Sequence, residues 1–279
     1  MYALKRGRQR FKLRTHWRGK IHTPIKEHMI KQSYLYLLRF GPIRRVLRHF
    51  RARIQSVAGY SDPFYGLARI ASFAHARLFL DIGCHHGDTL LRFIESGITC
   101  PVAAFDPFAD NLDRARKLLR QFPQITFYEI ALSDRNGTAE FYLNQNEQTS
   151  SLLPNDTGNL ASFAADTAPL GSCEVKTQTL DTWAAENRAT TPCIIKCDTQ
   201  GAEGLVIRGG TSFIRDHCAA FYGEVMLGDM YRGQSSFADI RLLLEKDCGL
   251  VLKNIYPCLH DSAGRAVQMD ALWVKQEYL

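Results

Sequence analysis

From about residue 61 onward, short apolar runs alternate with stretches whose apolar residues recur at helical spacing. Leu78-Phe-Leu-Asp-Ile82 predicts a first strand, with a helix after Gly87. Val102-Ala-Ala-Phe105 predicts a second strand, followed by a helix over Asn111 to Phe122, and Ile125 to Ile130 a third strand. Cys193-Ile-Ile-Lys-Cys197, Ala219 to Met226, Leu250 to Ile255 and Ala271 to Lys275 add four more, with Asp270 opening the last. Alternation of this kind predicts an α/β fold: a mostly parallel seven-stranded sheet covered by helices on both faces. Ligands of such sheets sit beyond the carboxyl ends of the strands, near the switch in strand order.

The first 60 residues follow a different pattern. Residues 1–24 read as a flexible basic lead, with Gly7, Gly19 and Pro24 as breakers. Two helical stretches follow, divided at Gly41-Pro42, because proline lacks an amide donor and crowds the preceding turn. In the second, Ile43, Val46, Leu47, Phe50, Ile54 and Val57 form one apolar stripe, and Arg44, Arg45, Arg48, His49, Arg51 and Arg53 cover the rest. Three readings of residues 25–57 stay open. The stripe packs on the body, or it lies on an anionic membrane surface, or the arginines grip nucleic acid, which is the least favoured.

Charge makes the division sharper than composition does. The chain has 279 residues, 46% hydrophobic and 23% charged, which suits a soluble α/β domain with an appendage. Its net charge of +7 averages two unlike parts. Residues 1–55 hold 16 Lys/Arg against one acid, Glu27, whereas the remainder holds 19 basic and 27 acidic residues. The expected organisation is a basic helical arm over 1–60 and a mildly acidic catalytic domain over 61–279. No signal peptide is visible, and Gln32 to Leu38, the longest charge-free stretch near the start, is too short to cross a bilayer. The eight cysteines include no zinc-type pair of CxxC motifs and read as reduced, mostly buried thiols of a cytoplasmic protein.

Candidate chemistry clusters at predicted strand ends. Asp81-Ile-Gly83-Cys-His-His-Gly87 is a glycine turn whose backbone can approach a ligand closely, and the following helix offers free amides. Asp81 argues against a phosphate there, and a ligand with an amino group and a sulfonium fits better. Asp106, 25 residues on in Phe105-Asp106-Pro107, is placed to accept both ribose hydroxyls or to cap the helix that follows. The glycines do not follow the G-x-G-x-x-G of NAD sites. Ile194-Ile-Lys196-Cys-Asp198-Thr-Gln200-Gly201-Ala-Glu203 sets charged residues at the mouth of an apolar strand, where they must be satisfied or used. Lys196 and Asp198 share a face, as a buried ion pair or as machinery. Glu224 closes the next strand on the same edge of the sheet.

These motifs, with Ala131-Leu-Ser133-Asp134, Gly137, Ser150-Ser151-Leu152, Thr179-Leu-Asp181 and Asp270-Ala-Leu-Trp-Val, resemble the FkbM family of methyltransferases over roughly residues 78–275. The chain departs from the family pattern at His85 and His86, where asparagine and a small apolar residue are usual, and at Asp106, where glutamate is usual. The resemblance implies a class I Rossmann-like fold and transfer from S-adenosylmethionine to a hydroxyl of a sugar, glycolipid or polyketide. The expected cofactor-binding residues are Asp81, Gly83, His85, Gly87, Asp106, Pro107, Ala131 and Ser133, two of them at departing positions, and Gln200, Glu203 and Ser151 are expected to bind the acceptor. Asp198 is the expected base, with Lys196 and Glu203 fixing it and Glu224 binding the acceptor. A divalent cation on Asp198 and Glu224 is the less favoured alternative. The expected acceptor is a polysaccharide or glycolipid precursor, reached at the inner face of a membrane, and a homo-oligomer stays open. RNA ribose methylation and a non-catalytic binding module are the rival functions. Asn144 to Ser172, long and polar, is expected to close over the acceptor.

Overall fold

The computed structural model describes residues 62–156, 168–189 and 191–279. The expectations for the basic arm, and those for the middle of the connection after Asn144, lie outside the described residues. No described helix is long and apolar enough to cross a membrane.

The strands are β1 (Leu78–Ile82), β2 (Val102–Asp106), β3 (Ile125–Glu129), β4 (Ala131–Leu132), β5 (Gly137–Asn144), β6 (Pro169–Gln178), β7 (Cys193–Cys197), β8 (Cys218–Met226), β9 (Leu250–Ile255), β10 (Leu259–His260) and β11 (Ala266–Lys275). The main sheet has eight strands in the order β10-β11-β8-β7-β1-β2-β3, with β9 also paired to β11. The pairs among β3, β2, β1, β7 and β8 are all parallel, whereas β11 runs antiparallel to β8, β9 and β10. This is the mostly parallel, Rossmann-like arrangement expected from the sequence, with three differences. The seven predicted strands are all present, and the two-residue β10 makes an eighth. A second sheet, β4-β6-β5, was not predicted. β6 starts inside the segment read as a polar connection. Its first residues are exposed, so it lacks the apolar run that marks the central strands. Asp270, expected to open the last strand, lies inside β11 opposite Glu224.

The helices are α1 (Pro63–Phe73), α2 (Asp88–Ser96), α3 (Ala109–Leu118), α4 (Leu180–Glu186), α5 (Glu203–Gly209), α6 (Thr211–His217) and α7 (Phe237–Leu242). Helix α1 starts where Asp62 accepts from the Phe64 and Tyr65 amides and Pro63 takes the first turn. Strand alternation sends side chains to two cores. Leu78, Leu80, Ile82, Ile195 and Cys197 pack with Val206, Ile207, Phe213, Ile214 and Trp183. Phe79, Ala104 and Ile194 face Leu67, Leu90, Phe93 and Leu112. Burying a side chain of this size stabilises the fold by about 1.5–3 kcal/mol. All eight cysteines are free thiols, five of them buried.

Candidate active site

The chain lays down β1 to β3 on one side of the sheet centre and β7 and β8 on the other, so the switch in strand order falls between β1 and β7. The loops leaving these two strands touch. Gly83 has φ +77°, and a Cβ placed on it would lie 1.9 Å from the Asp198 carbonyl oxygen, so only glycine fits. The Asp198 amide donates to the Ile82 carbonyl at 3.0 Å, and the Lys196 ammonium to the Gly83 carbonyl at 2.8 Å. The strand register sets Asp81 beside Lys196.

Lys196 is buried and faces two acids, Asp81 Oδ1 at 3.0 Å and Asp198 Oδ2 at 3.7 Å. Burial alone would depress its ammonium, but the two carboxylates outweigh burial and hold it above the ordinary lysine range. Burial raises the Asp81 carboxyl against the pull of Lys196. Asp81 is wholly enclosed, while the Asp198 side chain remains 35% exposed.

Beyond β7 the chain turns sharply. Gln200 has φ +55°, a conformation that costs a non-glycine residue about 1–2 kcal/mol. The turn aims its amide between two acids, donating to Asp198 Oδ1 at 2.9 Å and Glu224 Oε2 at 2.8 Å. Gln268, on β11, donates to the other Glu224 oxygen. The Tyr231 hydroxyl shares its one proton between the Thr149 carbonyl at 2.9 Å and Gln200 Oε1 at 3.1 Å. Burial, followed by the Asp198 charge, pushes the Glu224 carboxyl well up. The Gln200 amide thus stands between the carboxylates considered as a cation pair. Glu203 turns back on its own loop, accepting from the Thr199 amide at 2.7 Å and hydroxyl at 3.0 Å, and burial pushes it up to about 7.

At the other strand end, Asp106 anchors the glycine loop. Its Oδ2 accepts from the His85 amide at 3.1 Å, and its Oδ1 from the Phe108 amide and Asn111 Nδ2, each at 3.0 Å. Burial raises this carboxyl, and these donors pull it back. A carboxylate has about four lone-pair sites, so three are taken and one remains. The expectation that Asp106 accepts two ribose hydroxyls is corrected accordingly. Asp106 is not the N-cap of α3, which is Phe108 with no side-chain cap; it accepts instead from the amide of that residue.

A cavity of about 650 Å³ opens over the switch point, within the range of about 300–1,000 Å³ usual for small-molecule sites. Of the residues singled out in the sequence, Gly83, His85, Asp106, Pro107, Ala131, Lys196, Asp198, Gln200 and Glu224 line it. Asp81, Gly87, Ser133, Ser151 and Glu203 do not. Asp81 faces Lys196, Glu203 accepts from Thr199, and the Ser151 hydroxyl accepts from the Leu153 amide at 3.1 Å. Arg114, Glu147 and Gln268 also line the cavity but escaped the sequence reading, because none belongs to a local motif. The start of the polar segment does reach the cavity, through Asn146 to Ser150 and Leu152.

The family model described as the methyltransferase FkbM domain matches residues 81–252. The 2-O-methyltransferase NoeI of Sinorhizobium fredii is 27% identical over 163 residues, covering 56% of this chain and 66% of NoeI. A solved FkbM methyltransferase from Methylobacillus flagellatus aligns with a TM-score of 0.46 and 15% identity, over 76% of this chain and 48% of that one. The N-methyltransferase NodS of Bradyrhizobium japonicum gives a TM-score of 0.40 and 12% identity, over 76% and 93%. The chain therefore spans less than two thirds of the length of NoeI and about half that of the Methylobacillus protein.

Proposed function

We propose that this chain, which belongs to the FkbM methyltransferase family, transfers the methyl group of S-adenosylmethionine to a sugar hydroxyl of a polysaccharide or glycolipid precursor. The observation that carries this reading is the placement of Asp198. It stands at the carboxyl end of β7, on the cavity, a third exposed and flanked by Lys196 and the Gln200 amide. NoeI, by its name a 2-O-methyltransferase, supports an oxygen acceptor.

The cavity fits the donor in two respects. Gly83 lets the two loops that floor the cavity close on each other, and Asp106 keeps one lone pair for a ribose hydroxyl. The bound donor supplies an electrophilic methyl group on a sulfonium. Asp198 takes the proton of the acceptor hydroxyl, a contribution worth about 10²–10⁴ in rate. Lys196 and Gln200 fix the carboxylate, and holding the reacting oxygen in line supplies much of the remainder. Gln268 and Gln200 hold Glu224 at the acceptor end.

The reading is tested by incubating the protein with methyl-labelled donor and three acceptor pools: nucleoside diphosphate sugars, lipid-linked oligosaccharides and RNA oligonucleotides. Alkali-stable label in a sugar pool, lost in Asp198→Asn, is the expected result. Label in RNA, or equal transfer by the variant, would overturn it.

A further inference from the structure

The rim of the same cavity carries a second constellation, beside the groups assigned to methyl transfer. His85 and His86 are consecutive on the glycine loop, and their rings stack with centroids 3.6 Å apart. Glu147, in the short turn Glu147–Thr149 that follows β5, faces both. Its Oε1 lies 3.6 Å from His85 Nε2 and 3.3 Å from His86 Nε2, and the three ligand atoms all fall within 4.8 Å of one another. A four-coordinate ion held at about 2.1 Å by nitrogen and oxygen sets ligand edges of about 3.4 Å. Two edges of that tetrahedron are already near this length, and the stacked rings must turn apart for both Nε2 lone pairs to converge on one ion.

Two further observations point to a cation. His85 Nε2 is buried and has no hydrogen-bond partner, a costly state for a polar atom. The Arg114 guanidinium reaches into the cluster, with Nη1 2.8 Å from His86 Nε2 and 3.3 Å from Glu147 Oε1. Guanidinium only donates, so His86 presents its Nε2 lone pair, the form that binds a metal. Arg114 is 57% exposed on a flexible stem and can swing aside.

We propose that His85, His86 and Glu147 form a binding site for a zinc-type divalent transition ion, which ties the glycine loop to the Glu147–Thr149 turn. Two imidazoles and one carboxylate select zinc, cobalt, nickel or copper over magnesium and calcium. The fourth position is left to water. Both loops border the donor cavity, so occupancy fixes its rim.

The direct test is titration of metal-free, full-length protein with Co²⁺, followed by visible absorption and back-titrated with Zn²⁺. One equivalent is expected to give the band of a tetrahedral nitrogen–oxygen site, displaced by Zn²⁺. Affinity is expected to fall by about tenfold or more in His86→Ala and Glu147→Gln, and to rise in Arg114→Ala, where the competing cation is gone. His85→Asn, which tolerates the positive φ at this position, is expected to weaken binding while circular dichroism stays unchanged. A thiolate charge-transfer band, a spectrum indifferent to these substitutions, or no saturable binding by folded protein would each overturn the proposal.

Discussion

Asp81 and Asp198 face the same ammonium, at 3.0 and 3.7 Å, from opposite environments. Asp81 sits inside β1 between β7 and β2, enclosed on all sides, with Oδ1 at 3.0 Å from the Lys196 ammonium. Asp198 lies just past the end of β7, where the strand opens onto the cavity. One residue pattern thus produces a sealed ion pair and an accessible carboxylate, separated by the end of a strand. Lys196 joins the two regions: it compensates the buried charge and lies within ion-pair distance of the exposed one.

The sharpest break in this comparison is at the exposed acid. Asp198→Asn is expected to cut turnover by about 10²–10⁴ while leaving S-adenosylhomocysteine affinity nearly intact. Comparable losses of both would return Asp198 to a structural role. On the sealed side, Lys196→Met strands Asp81 and is expected to cost about 3–5 kcal/mol in urea unfolding. Adding Asp81→Asn should recover part of that loss, and strict additivity of the two substitutions would deny the coupling.

Glu203 sharpens the contrast by pH. Its folded value, about 7, lies above its ordinary 4.5, so its contribution is complete below that ordinary value and fades as pH rises through about 7. The total loss is about 3 kcal/mol. Unfolding of Glu203→Gln at pH 5 and 8 should show the variant gaining on the parent by up to that amount at the higher pH, and a constant difference would refute the assignment. A smaller effect is expected at Gln268. Gln268→Leu removes one donor to Glu224 and should weaken the acceptor end by about 1.5–3 kcal/mol, read as a raised KM with donor affinity unchanged.

What the sequence could convey follows the same division. β1, β7 and β9 match their predicted bounds because apolar runs bounded by polar residues are a local signal. β5 and β6 carry no such run; they are stabilised by pairing with each other over eight register positions, a long-range fact. Motif residues were legible as polar groups at strand ends, but the fate of each depends on partners distant in sequence. Asp181, one of the matched positions, accepts from the Phe213 amide at 2.7 Å and anchors α6 far from any chemistry. Glu147, Tyr231 and Gln268 reach the site only through the fold, so no spacing announces them. His85 and His86 stand out in the sequence as departures from the family pattern, and only the fold brings Glu147 against both.

Methyl transfer requires the switch-point cavity to accept the donor. The most direct measurement is calorimetric titration with S-adenosylhomocysteine, with NAD as control. Saturable binding of one equivalent, weakened by about tenfold or more in Asp106→Ala and absent for NAD, is the expected result. Correctly folded protein that binds no S-adenosylhomocysteine, or an Asp106→Ala variant that binds it as well as the parent, would contradict it.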